Sequence, residues 1–158
     1  MAGAVHVTDV EWDQKKECDG MGEADEYAVY LHQAKKLLLM TPISDAIHFG
    51  LQPSSLELFS FVPTRMIGGD CKFAAIGLVN KFNSVGTLLE VDAGEGGIAV
   101  RMKVKGGGEL MAYSDGKPER SYVNGVEVGF EWEEDGKLIV DLAWEENNCG
   151  VSEVTFAD

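Results

Sequence analysis

Apolar and polar positions alternate with a period of two along much of this chain. Val126, Val128, Phe130 and Trp132 fall on one side of the pattern, and Glu127, Gly129, Glu131 and Glu133 on the other. Successive side chains of a strand point to opposite faces, so this alternation predicts a half-buried strand. Asn124-Gly125 just before it is a type I′ hairpin signal, because that turn needs φ > 0 at both central residues. Asp135-Gly136 after it predicts a second turn of the same kind. Leu138, Val140, Leu142 and Trp144 then alternate with Ile139, Asp141 and Ala143. The segment from about 120 to 144 is therefore expected to form a meander, with Trp132 and Trp144 in phase with its core.

The same period recurs upstream. Ile98, Val100, Met102 and Val104 alternate with Ala99, Arg101, Lys103 and Lys105, and Leu110 to Tyr113 resumes the run after Gly106-Gly-Gly108. Segments 47–51 and 56–62 are further strand candidates around Gln52-Pro-Ser-Ser55, and 151–156 is a last one. The apolar run from Phe73 to Phe82 reads as a strand buried on both faces. Between Tyr27 and Met40 the apolar positions also fit a helical stripe. Two strands, Glu26–His32 and Lys36–Met40, around a Gln33-Ala-Lys35 turn are the reading adopted. Val5–Val10 reads as a strand, and the polar, glycine-containing stretch 13–25 as a surface loop. Many short strands separated by turn signals predict an all-β fold, a single antiparallel β-sandwich of Greek-key type over residues 1–158, with roughly eight to twelve strands.

Composition narrows the partners. The 158 residues carry 27 acidic and 13 basic side chains, a net charge of −14. Such a surface repels nucleic acid and anionic membranes, so neither is expected as a partner. No apolar run reaches the roughly 18 residues of a membrane-spanning helix, and no signal peptide is visible. Cys18, Cys71 and Cys149 have neither metal-knuckle nor disulfide spacing. Free thiols and a cytoplasmic location are expected.

Candidate chemistry is sparse. Retaining glycoside transfer needs two carboxyl groups about 5–5.5 Å apart. Asp9, Glu11 and Asp13 are the neatest set, because alternate residues of a strand share a face. The plainer reading is a solvated strand edge or an interdomain contact, with Trp12 on the opposite face packing on a neighbouring domain. His6, His32 and His48 lack metal-ligand spacing. Ser114-Asp115 has no nucleophile elbow, and Cys71 reads as a structural thiol. The clusters at Gly94-Glu-Gly-Gly97 and Gly106-Gly-Gly108 lack a phosphate-loop ending and are read as hairpin turns. No catalytic residue, metal or cofactor site is assigned. Trp12, Tyr113, Tyr122, Trp132 and Trp144 could together form a sugar-stacking platform.

Four segments in order carry a family resemblance: Asp9-Val-Glu-Trp-Asp-Gln14, Leu56-Glu-Leu-Phe-Ser-Phe-Val-Pro63, Phe73-Ala-Ala-Ile-Gly-Leu-Val-Asn-Lys-Phe-Asn-Ser-Val-Gly-Thr87 and Val104-Lys-Gly-Gly-Gly-Glu-Leu-Met-Ala-Tyr-Ser114. They resemble the C-terminal end of plant raffinose and stachyose synthases, galactosyltransferases of glycoside hydrolase family thirty-six. The resemblance implies transfer of galactose from galactinol to sucrose or raffinose by double displacement, without metal or nucleotide. It places the catalytic aspartates in an upstream (β/α)8 barrel, and no position here matches those barrel motifs. It therefore implies a non-catalytic C-terminal accessory domain or fragment, with the barrel as partner. A stand-alone module binding oligosaccharide and a protein-interaction fragment are the alternatives. The chain departs from the family pattern at Ala75 (proline), Lys81 (methionine), Val85 (the first of two glycines) and Asp115 (serine). If the position of Val85 demands φ > 0, a β-branched residue there would be strained.

Overall fold

β-branched and aromatic residues at alternate positions favour pleated, half-buried surfaces, and strands dominate the computed structural model. It describes residues 1–10, 24–67, 70–94, 98–144 and 146–157. Strands take up 56% of these residues and no helix among them reaches seven residues, which makes the fold all-β. The chain divides into two compact units, Met1–Thr64 and Arg65–Asp158.

The first unit contains β1 (Ala2–Val5), β2 (Tyr27–Leu31), β3 (Lys36–Met40), β4 (Ile47–Gly50) and β5 (Phe59–Pro63). β1 pairs with β4, and β2 lies between β3 and β5, all antiparallel. The two-strand reading of 26–40 holds. Lys35 takes the left-handed conformation of the turn, with φ 51°. The Glu57 carboxylate accepts hydrogen bonds from the Gln33 and Ala34 amides at 2.8 and 3.1 Å, closing that turn. Every residue of β2 is buried. Tyr27, Val29 and Leu31 form one cluster with Val7 and Met40. Tyr27 reaches back further, its hydroxyl oxygen accepting from the Ala24 amide.

The second unit is an antiparallel sandwich. One sheet runs β13 (Glu131–Trp132), β14 (Lys137–Leu142), β10 (Gly108–Ser114), β7 (Cys71–Leu78) and β6 (Arg65–Ile67). The other runs β12 (Val126–Val128), β11 (Arg120–Val123), β15 (Val151–Ala157), β9 (Ile98–Lys105) and β8 (Leu88–Ala93). Their inner faces share one core. Phe73, Ala75, Leu110, Leu138 and Val140 come from the first sheet, and Val100, Met102, Val104, Val154 and Phe156 from the second. β7 is buried on both faces, since Ala74 and Ile76 are buried as well, but it stops at Leu78, short of the end of the apolar run, where Phe82 is exposed. The chain changes layer between β7 and β8, β9 and β10, β10 and β11, β12 and β13, and β14 and β15. Sequence neighbours are thus split between the two sheets, as Greek-key connections do.

Several local expectations are corrected. The alternating run 126–132 is not one strand. β12 and β13 lie in different sheets, with the crossing at Gly129-Phe130. The expected meander of 120–144 is therefore two hairpins, one per sheet. Asn124 and Gly125 have φ 51° and 79°, as the type I′ reading requires. In the second turn Gly136 has φ 87° and Asp135 does not share the positive φ. The Gly136 and Glu133 amides bond to Glu133 and Lys137 carbonyls at 2.9 Å, the pattern of a type I turn with a glycine bulge. Gly106-Gly-Gly108 is a crossover between sheets and not a hairpin. β8 and β9 pair antiparallel, and residues 95–97 of the cluster read as a hairpin turn lie outside the described residues. Trp144 falls beyond the end of β14 and is 59% exposed, so it is not core. Val5–Val10 is not a strand throughout: β1 ends at Val5 and a short 3-10 turn covers Val7–Asp9.

Candidate functional site

The acidic set at the start of the chain separates on inspection. Asp9 sits at the end of the 3-10 turn, where its Oδ2 accepts from the His6 amide at 2.8 Å. His6 Nδ1 in turn accepts from the Thr8 amide at 3.2 Å. This reciprocal cap satisfies amides that the turn leaves open, and it replaces the expected strand face for Asp9. Glu11, Trp12, Asp13 and the loop around them lie outside the described residues.

The other nucleophile candidates have structural occupations. Ser114 is buried, and its Oγ donates to the Gly116 carbonyl at 2.6 Å. Asp115 Oδ1 accepts from the Lys72 amide at 2.8 Å. Cys71 Sγ lies 3.4 Å from Ser114 Oγ. Burial pushes the Cys71 thiol above its ordinary range, and Asp115 adds to the rise, against a lowering contribution from Ser114. A thiol held protonated is a poor nucleophile. His32 Nε2 lies 2.8 Å from Ser60 Oγ. No group of three metal-ligating side chains occurs among the described residues.

The signature segment 73–87 is a piece of construction. Just before the end of β7, beside the register shift in its pairing with β10, Gly77 adopts φ +98°, and a Cβ there would lie 2.5 Å from the Ser84 carbonyl carbon and closer still to its oxygen. The following loop is fastened by Thr87, whose Oγ1 accepts from the Leu78 amide at 3.1 Å and donates to the Ser84 carbonyl. Val85 opens a 3-10 turn, Val85–Thr87, and is not among the residues with positive φ, so the expected strain is absent. Lys81 points to solvent, where its charge costs little. The loop presents Phe82 and Val85 at 85% and 47% exposure.

Among the described residues the aromatic rings do not converge on one platform, and Trp12 lies outside them. Tyr113 is buried, Tyr122 is half-buried on β11, and Trp144 is exposed beyond β14. Trp132 is half-buried against the core, and its Nε1 donates to the Ser114 carbonyl at 3.1 Å. Trp132 and Phe130 do line an open cleft of about 890 Å³ together with Glu119, Arg120, Glu127 and Gly129. Local alternation gave no sign of it, because the cleft forms where the chain leaves β12 for the other sheet. Arg120 is held charged by a hydrogen bond to Tyr122 and by attraction to Glu127.

The family model described as raffinose synthase or seed imbibition protein Sip1 matches residues 1–142. Stachyose synthase of Pisum sativum is 52% identical over 153 residues, covering 96% of this chain and 18% of that enzyme. Probable galactinol–sucrose galactosyltransferase 4 of Arabidopsis thaliana is 40% identical over 160 residues, covering 99% of this chain and 18% of its own. Galactinol–sucrose galactosyltransferase of Oryza sativa subsp. japonica is 35% identical, with 94% and 19% covered. The chain thus spans less than a fifth of the length of these curated relatives, in their C-terminal region. With one family model over most of its length and relatives on that scale of identity, the chain belongs to the raffinose synthase or seed imbibition protein Sip1 family.

Proposed function

We propose that this segment is the non-catalytic β module of a raffinose or stachyose synthase-like galactosyltransferase, an enzyme that moves galactose from galactinol to sucrose or raffinose in the cytoplasm. The observation that carries the reading is coverage: 96% of this chain aligns at 52% identity with only 18% of a stachyose synthase. The geometry supports it. Asp9, Ser114 and Cys71 are each committed to caps, turns or partial burial. The segment's task in this reading is mechanical. It packs against the catalytic (β/α)8 barrel of the enzyme and stabilises it, with Trp12, Asp9, Glu11 and Asp13 near that contact. The chemistry proposed for the whole enzyme calls for no metal or nucleotide. For location, the structure adds only that no described helix is long and apolar enough to cross a membrane.

The test is complementation in trans. Pisum sativum stachyose synthase lacking its matching segment is expected to lose thermal stability and galactosyl transfer, and to regain part of both when this chain is added. A truncated enzyme as stable and as active as the intact one would overturn the accessory role.

A further inference from the structure

The crossing from β12 to β13 builds the cleft, and its two ends are fixed. Ser121 is fully buried, and its Oγ donates to the Val128 carbonyl at 2.8 Å. That bond holds the last residue of β12. Four residues on, the Trp132 indole is tied to the Ser114 carbonyl at 3.1 Å. Gly129 and Phe130 are suspended between these anchors. A cleft whose wall is already ordered loses little conformational freedom on binding, which favours affinity.

The chemistry of the lining selects a ligand. At about 890 Å³ the cleft falls in the range of about 300–1,000 Å³ typical of small-molecule sites. Phe130 and Trp132 offer ring surface to an apolar face. Glu119, Glu127 and Glu131 are acceptors, while Arg120 and Lys117 are donors. A compact anion would meet three carboxylates, and a compact cation would meet a guanidinium and an ammonium. A neutral ligand with many hydroxyl groups uses both kinds of partner and suffers neither repulsion. Sugars combine such hydroxyls with an apolar ring face.

We propose that the cleft between β11, β12 and β13 is a binding site for a neutral oligosaccharide. Phe130 and Trp132 stack on a sugar ring, and Arg120, Glu119 and Glu127 hydrogen-bond its hydroxyls. The proposal does not depend on the segment being catalytically silent. Binding and turnover are separate readouts, so one can fail without the other.

The experiment is titration of the isotopically labelled 158-residue chain with raffinose, followed by amide and indole NMR, with inorganic phosphate as a charged control. Trp132→Ala would remove a ring packed on the core and confuse binding with folding. Gly129→Leu is the better variant, because a Cβ at Gly129 meets nothing within 4 Å and its φ is not in the left-handed region. The expected result is a saturable shift of the Gly129, Phe130 and Trp132 signals, with Kd on the order of 1 mM. Gly129→Leu should weaken it at least about tenfold, about 1.4 kcal/mol, while thermal stability is retained. No saturable shift, equal shifts with phosphate, or binding unchanged in a folded Gly129→Leu variant would each overturn the site.

Discussion

Replacing Gly77 with alanine should be among the most damaging small substitutions in this chain, for two separable reasons. The first is conformational. Gly77 has φ +98°, and an L-residue held at positive φ costs about 1–2 kcal/mol. The second is steric. The new Cβ would lie 2.5 Å from the Ser84 carbonyl carbon and 3.0 Å from Thr87 Oγ1. The obstacle is mostly backbone, so no rotamer change relieves it. Moving the 84–87 turn away stretches the Leu78 amide bond to Thr87 Oγ1, worth about 1 kcal/mol. Together these come to about 2–3 kcal/mol, a large part of the roughly 5–15 kcal/mol that holds a domain folded. With a urea slope near 2 kcal/mol/M, the midpoint should fall by about 1–1.5 M. Trp132 and Trp144 report the transition by fluorescence, since both lie in the second unit. Gly125→Ala is the control. Its φ is +79° and a Cβ there meets nothing within 4 Å, so it carries the conformational cost alone. If Gly77→Ala proves no more destabilising than Gly125→Ala, the bracing of the signature loop against β7 is refuted.

Further outcomes follow from the core, a turn and a thiol. Leu138 is 1% exposed in the shared core, so Leu138→Ala should cost about 2–5 kcal/mol, measured by the same denaturation. Glu57→Ala removes the acceptor of two turn amides and should cost about 1.5–3 kcal/mol; a change within error would mean water replaces the carboxylate. Cys71 is partly covered with its pKa raised above 9.0, whereas Cys149 is exposed. Peptide-resolved alkylation at pH 8 should therefore label Cys149 first. The Cys71 rate should still be rising with pH at about 9, where an unperturbed thiol begins to level off. The sign for stability is the same: a raised folded pKa favours the native state at lower pH, and that contribution is lost as pH rises through the folded value.

Much of the fold was readable because single strands obey a strict period. Val100, Met102 and Val104, or Leu138, Val140 and Leu142, alternate without interruption and are buried as expected. The double-sided burial of β7 followed from its unbroken apolar run. The failures share a cause, which is that alternation says nothing about which sheet a strand joins. Val126 to Trp132 keeps its phase straight through a change of layer at Gly129-Phe130. The cleft created by that change was invisible for the same reason. Trp144 keeps the phase but lies past Leu142, where the strand stops. Asp9 looked like part of a strand face because its capping partner is His6 and not the serine or threonine that usually marks a cap. The family signature was legible as resemblance, whereas its physical meaning, Gly77 under the Ser84 carbonyl, needed coordinates.

The proposal that this segment does not itself carry out the family's chemistry is tested most directly by galactosyl transfer. The purified, folded 158-residue chain would be incubated with galactinol as donor and sucrose or raffinose as acceptor, beside intact Pisum sativum stachyose synthase as the active reference. The account predicts no oligosaccharide product above background from the chain while the reference turns over. Product that scales with the amount of chain would contradict it, and would mean that a competent pair of carboxylates lies within these residues.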